Sequence, residues 1–333
     1  MYTGGSPSSG SRILVVRLGA MGDIIHTLPA VASLKHNYPG SRLTWVVEPR
    51  WAPLLEGNPF VDRRLLFDRG SGGALQRTWH ELRREPFDFA VDFQGLVKSA
   101  LVACAAGSER IFGYHQSHAR ESLAALFYSD KIVPRSLHAV GRALDLAAGA
   151  GASTVVQSFP LPPGKSEGSL PAGAFVLASP LSGWGAKQWP LEYYGQLGAY
   201  LRREAGVPLV LNGPPGERER LSGVPDTFTH FSSIEGLIDA TRRAVAVVGL
   251  DSGPLHLAAA LGKPGVALFG PTDPARNGPC GGSLTLLRSP RAITSYKRLA
   301  QSDPSMREIS PEAVFEALRP HLARRSHTAD CLA

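Results

Sequence analysis

Residues 13–31 read ILVVRLGAMGDIIHTLPAV, and the way they divide decides the fold. The run 13–16 is short, apolar and rich in β-branched side chains, the pattern of a strand buried on both faces. Gly19 and Gly22 then make a tight turn, and an apolar segment follows that suits a helix. Strand, glycine turn and helix in that order open a parallel α/β unit, a layout that can hold a phosphate at the helix N-terminus. The spacing here is GxxG, however. It is neither the GxGxxG of a dinucleotide fold nor the GK[ST] of a P-loop. The residue after the second glycine is an acid, Asp23. A helix N-terminus keeps a carboxylate ionised, and an ionised carboxylate repels phosphate. Two readings stay open. Asp23 is an ordinary N-cap, or it is a fixed carboxylate that takes a proton from an acceptor hydroxyl.

The alternation continues outward from this stretch. In the first half, strands are expected over 13–16, 43–47, 64–67 and 89–93, with helices near 30–37 and 95–106. The second half restarts the pattern, with strands over 174–179, 208–212, 244–250 and 265–269. Helices are expected over 191–205 and 233–243, and a short one from Gly253. The stretch 159–173, FPLPPGKSEGSLPAG, is rich in Pro, Gly and Ser and reads as a linker. The expected organisation is a disordered polar lead-in over 1–11, an α/β domain over 12–160, a linker over 161–173, and a second α/β domain over 174–310. A C-terminal helix and tail over 311–333 follow, the helix running until Pro320 interrupts it. Two doubly wound domains imply a cleft, with ligands outside the carboxyl ends of the strands.

Composition limits the function. At 333 residues the chain exceeds one compact core, and 43% hydrophobic content describes a soluble globular protein. No apolar run spans a bilayer, and the N-terminus has no export signal, so a cytoplasmic location is expected. Cys104, Cys280 and Cys331 lack CxxC spacing, which argues against a disulfide framework or zinc site. The net charge of +7 is spread along the chain, with 17 Lys and Arg against 13 Asp and Glu over 1–160. No basic block or RNA-binding signature marks a nucleic-acid partner. A mild positive field suits anionic ligands.

Four stretches carry polar residues at strand ends. GLDSGPLHLAAALGKPGVALFGPTDP, residues 249–274, places Asp251, Ser252 and Gly253 in a turn before a helix that begins near Pro254. Backbone N–H groups there can approach a diphosphate. Asp251 can hold a sugar hydroxyl, and His256 either faces the same ligand or packs. SPLSGWGAKQWP, residues 179–190, puts Lys187 on a small-residue loop, as a diphosphate counter-charge or a solvated lysine. LNGPPGERER, residues 211–220, gives Glu217, for ribose or sugar hydroxyls or as a surface charge. In the first half DFQGLVKSA gives Asp92, Gln94 and Lys98. Further basic groups are Arg120, and Arg142 four residues after His138 on one helix face.

Together these pieces resemble the family 9 glycosyltransferases, the lipopolysaccharide heptosyltransferases. The resemblance rests on MGDIIHTLPA, WVVE, DFQGLVKSA, RESLAALFY, HAVGRALDL, KQWPLEYY, VVGLDSGPLHLAAALGKP and FGPTDP, in order over roughly residues 12–275. QGLVKS and RESLAALFY look most like heptosyltransferase I. The resemblance implies the GT-B fold, two Rossmann-like domains facing across a cleft. It implies inverting transfer of L-glycero-D-manno-heptose from ADP-heptose to a 3-deoxy-D-manno-octulosonic acid (Kdo) residue of lipid A. Asp23 becomes the general base. Donor contacts fall on Lys187, Glu217, Asp251, Ser252, Gly253 and His256, and acceptor contacts on Lys98, Arg120 and Arg142. No cofactor and no metal are implied, since the chain has no Asp-x-Asp motif. A lipid acceptor implies peripheral contact with the inner membrane. The loop SGWGAK departs from the Thr-Thr and acidic stretch usual in heptosyltransferase I. Competing readings are a GT-B enzyme for another nucleotide sugar, or another family 9 heptosyltransferase. A two-domain α/β binding protein without catalysis is the non-enzyme alternative.

Overall fold

Short β-branched runs separated by helical segments are what a parallel sheet requires, because each strand needs a crossover before its parallel neighbour. The computed structural model describes residues 10–68, 70–297 and 299–323. Cys331 and the polar lead-in up to residue 9 lie outside the described residues. The chain divides into two units, Met1–Pro162 and Pro163–Ala333.

The first unit has strands β1 (Arg12–Val16), β2 (Arg42–Val47), β3 (Arg63–Leu66), β4 (Phe89–Asp92), β5 (Arg110–Tyr114) and β6 (Asp130–Ile132). They form one parallel sheet in the order β3-β2-β1-β4-β5-β6. The order reverses direction at β1 and β4, so the loops after these two strands diverge and leave a crevice at their carboxyl ends. Helices α1 (Met21–Asn37), α2 (Ala74–Leu82), α3 (Val97–Cys104) and α4 (Ala139–Gly149) cover the sheet. The helix that the apolar segment after the glycine turn suggests runs from Met21, inside that turn, through the expected 30–37 stretch to Asn37. Its inner turns are buried almost all round, which hides the one-sided pattern a surface helix shows.

The second unit repeats the plan. Strands β7 (Val176–Ser179), β8 (Leu209–Gly213), β9 (Thr227–Phe231), β10 (Ala246–Leu250), β11 (Gly265–Phe269) and β12 (Leu284–Arg288) pair in parallel, in the order β12-β11-β10-β7-β8-β9. Helices are α5 (Leu191–Ala205), α6 (Arg218–Ser222), α7 (Ile234–Arg243), α8 (Gly253–Ala260), α9 (Pro274–Asn277), α10 (Pro304–Arg307) and α11 (Pro311–Ala323). The sequence pattern ends the last helix at Pro320, but α11 continues to Ala323. Proline there removes one N–H within a turn of the helix end, where few ladder bonds remain to lose. The burial of Val314, Phe315 and Leu318 against α5 and the sheet holds the helix in place. Each unit has its own apolar core, one around Leu14, Val16, Val46 and Ala90, the other around Val176, Trp189, Leu211 and Val248. No helix among the described residues is long and apolar enough to cross a membrane.

Candidate active site

In the first unit the site grows from the ends of β1 and β4. The chain leaves β1 through Arg17, whose main chain is fixed on both sides. Its N–H donates to Val46 O at 3.3 Å, and its carbonyl accepts the Trp45 indole N–H at 3.1 Å. The Arg17 side chain is buried. It donates to the Phe93 carbonyl and pairs with Asp23, Nη2 to Oδ1, at 2.8 Å. After β4, the buried Gln94 Oε1 accepts the N–H groups of Leu18 (3.1 Å) and Gly19 (3.4 Å), which fixes the glycine turn.

Asp23 is the third residue of α1, not its cap. Ala20 caps the helix, and Asp23 Oδ2 accepts the Ala20 N–H at 3.3 Å. The N-cap reading of Asp23 is therefore corrected by two residues of helix before it. A second guanidinium, Arg120 Nη2, lies 2.6 Å from Oδ2. Burial by itself would raise the Asp23 pKa. The Arg17 and Arg120 charges outweigh burial and hold it down at about 2.

Arg120 reaches this place because of a glycine. Gly95 takes φ +71°, and a Cβ on it would lie 3.2 Å from the Arg120 backbone nitrogen. The close approach lets Glu121 N–H donate to Gly95 O at 3.0 Å, so the loop after β5 lies on the turn after β4. Asp92 has a different role from its sequence neighbours. It is fully buried and accepts from Gln94 N–H (2.8 Å), Ser99 Oγ (2.7 Å) and Tyr128 OH (2.7 Å), and burial pushes its carboxyl up. Asp92 builds the turn rather than facing a ligand. Arg142 donates to the His118 carbonyl at 2.9 Å and lies over the Tyr114 ring. Lys98 stands exposed at the second position of α3.

The second unit gathers its groups at the ends of β7, β10 and β11. Asp251 follows β10 and is 5% exposed. Lys187 Nζ reaches its Oδ2 at 2.7 Å and its carbonyl at 3.2 Å, with the Trp184 ring 4.4 Å from the ammonium. His256, buried on α8, comes within 3.7 Å of Asp251 Oδ1. Burial would raise the Asp251 pKa, but His256 and Lys187 outweigh it and keep the carboxyl well below the usual range. Gly253 is the first residue of α8, and Ser252 precedes it. The Ser252 hydroxyl is buried without a hydrogen-bond partner, as is that of Thr272 in the loop after neighbouring β11. Both hydroxyls stand at the carboxyl ends of adjacent strands, the edge where open α/β sheets take their ligands.

Glu217 lies 3.7 Å from Arg220, which in turn donates to Gln188 Oε1 at 2.7 Å. Among the described residues no three His, Cys, Asp or Glu stand together in a group that could hold a metal. The structure thus brings together Asp23 with Arg120, and Lys187 with Asp251, Ser252, Gly253 and His256. Two partners escaped the sequence reading. Arg17 ends an apolar strand, and a charge in that position is the signal that could have found it. Thr272 sits in the FGPTDP loop, where a hydroxyl between two prolines is the only local signal.

Solved structures show the same architecture. E. coli heptosyltransferase WaaC with ADP matches with a TM-score of 0.75 at 27% identity, over 93% of this chain and 99% of that one. Two doubly wound parallel sheets in one chain, matched in this way, define a GT-B glycosyltransferase. The family model for glycosyltransferase family 9 (heptosyltransferase) matches residues 75–304. Lipopolysaccharide heptosyltransferase 1 of Escherichia coli (strain K12) is 31% identical over 308 residues, covering 84% of this chain and 94% of its own length. Lipopolysaccharide heptosyltransferase 2 of Salmonella typhimurium is 27% identical, covering 94% and 99%. The chain belongs to glycosyltransferase family 9, the heptosyltransferases.

Proposed function

We propose that this chain transfers L-glycero-D-manno-heptose from ADP-heptose to a Kdo residue of lipid A, in the manner of heptosyltransferase I, with Asp23 as general base. The observation that carries the reading is the second-unit cluster in a family 9 chain. It combines a lysine on a buried aspartate, an unpartnered hydroxyl, and the start of a helix. A nucleotide diphosphate suits that set. Lys187 and the N–H groups opening α8 offer positive charge to the departing ADP. Asp251, His256 and Glu217 offer hydrogen-bond partners to its hydroxyls, and Ser252 and Gly253 let the backbone approach. Lys98, Arg120 and Arg142 would receive the anionic acceptor. A lipid acceptor would bring the chain to the cytoplasmic face of the inner membrane as a peripheral visitor.

Transfer requires the acceptor hydroxyl to meet the anomeric carbon in line with the leaving phosphate, with water excluded. The new C–O bond forms as the bond to phosphate breaks, and the hydroxyl proton passes to Asp23. The test is direct. Incubation with ADP-heptose and Kdo-lipid A should give a product heavier by one heptose on mass spectrometry. Asp23→Ala should lose transfer by about two to four orders of magnitude while ADP-heptose affinity changes little. Near-normal turnover in that variant would remove Asp23 from the role. The SGWGAK loop favours a second reading, a later heptose addition. Product from an acceptor that already carries heptose, and none from Kdo-lipid A, would establish it.

A further inference from the structure

The resting arrangement of Asp23 is poorly suited to proton abstraction. Oδ1 is occupied by Arg17 at 2.8 Å and Oδ2 by Arg120 at 2.6 Å. A base works best when its conjugate acid has a pKa near the working pH, and two guanidinium partners carry this carboxylate far from it. The two arginines differ in their freedom. Arg17 is buried, with its main chain and side chain both pinned at the ends of β1, β2 and β4. Arg120 is half exposed, on the loop between β5 and β6. If Arg120 leaves, Oδ2 keeps only the 3.3 Å contact to Ala20 N–H, while Arg17 still holds the carboxylate in place.

We propose that Arg120 is a clamp on the Asp23 carboxylate, released when a carboxylate on the acceptor sugar draws its guanidinium away. The proposal rests on Asp23 acting as base. The geometry defines the releasing group. Arg120 covers the oxygen that must take the proton, so the anion that draws it off has to lie within a guanidinium's span of the reacting hydroxyl. That places the anion on the same sugar as the hydroxyl rather than on a distant phosphate. Release frees a lone pair and restores basicity at the moment the acceptor arrives. The other ionisable groups facing this pair are fixed by packing. His26 lies one turn along α1, Tyr114 ends β5, Asp92 ends β4, and Arg142 on α4 lies over Tyr114. Arg120 is thus a positioning residue whose effect on the base reverses with the acceptor's charge.

The test compares two soluble acceptors, a phosphate-free Kdo glycoside with its carboxylate and the same glycoside as its carboxamide. Single-turnover rates are measured at saturating ADP-heptose for the native chain, Arg120→Met and Arg120→Lys. In the native chain the carboxamide should react about tenfold or more slowly than the carboxylate. Arg120→Met should react with the carboxamide faster than the native chain does, while its single-turnover rate at subsaturating carboxylate falls. Arg120→Lys, which keeps a charge, should restore the native preference. An arginine that only binds acceptor gives the opposite sign, with carboxamide turnover in Arg120→Met equal to or below native, and that result overturns the clamp. Asp23→Asn run alongside separates the two ideas. Turnover there refutes the base itself, whatever Arg120→Met does.

Discussion

Asp23 shows how folding sets the charge state of one carboxylate. Its pKa falls from 3.8 to about 2 on folding, because the two guanidinium charges outweigh burial. A lowered carboxyl pKa stabilises the fold fully above about pH 4, and that contribution is lost as pH falls through 2. The shift corresponds to about 2 kcal/mol. Asp23→Asn is therefore expected to be about 2 kcal/mol less stable than the native chain in urea unfolding at pH 7. The gap should narrow between pH 4 and pH 2, and a constant gap would show that the ion pairs are not its source. The sequence made Asp23 legible because a carboxylate after a glycine turn breaks the phosphate-binding pattern. Its partners were harder to read. Arg17 lies six residues away, but its pairing depends on the helix starting at Met21. Arg120 lies 97 residues away, and nothing local announces that Gly95 lays its loop on the same turn.

At the scale of elements, continuous apolar runs found β1, β2, β4, β7, β8, β10 and β11, since these strands are almost wholly buried. Of the four edge strands, β3 was legible, expected over 64–67 and found at Arg63–Leu66, while β6, β9 and β12 escaped because polar or exposed residues run along them. β5 is interior, but Gly113 interrupts its apolar run, where a Cβ would lie 2.3 Å from the Tyr128 ring. The loop carrying Lys187 has a similar hidden dependence. A Cβ on Gly185 would lie 1.7 Å from the Ala300 carbonyl oxygen. Ala186 N–H donates to Leu299 O at 3.1 Å, and Ser302 Oγ to Gln188 O at 2.6 Å, so a distant segment sets the loop's path. Gly185→Ala must push backbone against backbone and move Lys187 from Asp251. Calorimetric titration with ADP should show an affinity loss of about tenfold or more, equivalent to about 1.4 kcal/mol. Gly216→Ala, where a Cβ meets nothing within 4 Å, is the control and should bind as the native chain does. Equal affinities would mean that the 299–303 segment does not govern the lysine.

On the scale of the whole molecule, the division of labour follows from where each set of bonds closes. The Asp23 set is completed by Arg17, Gln94, Gly95 and Arg120, all within the first unit. The Lys187 set is completed by Asp251, His256, Gln188, Ala300 and Ser302, all within the second. Each apolar core is likewise assembled from one unit's residues, and α11 seals the second core from within. A unit of this size with its own sheet and core has the means to fold alone. Residues 163–323 expressed by themselves should therefore unfold in one cooperative transition by circular dichroism and bind ADP with native-like affinity. Residues 10–162 should fold too, but bind no ADP. Both outcomes are required of the 163–323 fragment. A fragment without a cooperative transition would mean that its core depends on the first unit. A cooperative fragment that fails to bind ADP would mean that groups beyond the Lys187 cluster hold the nucleotide.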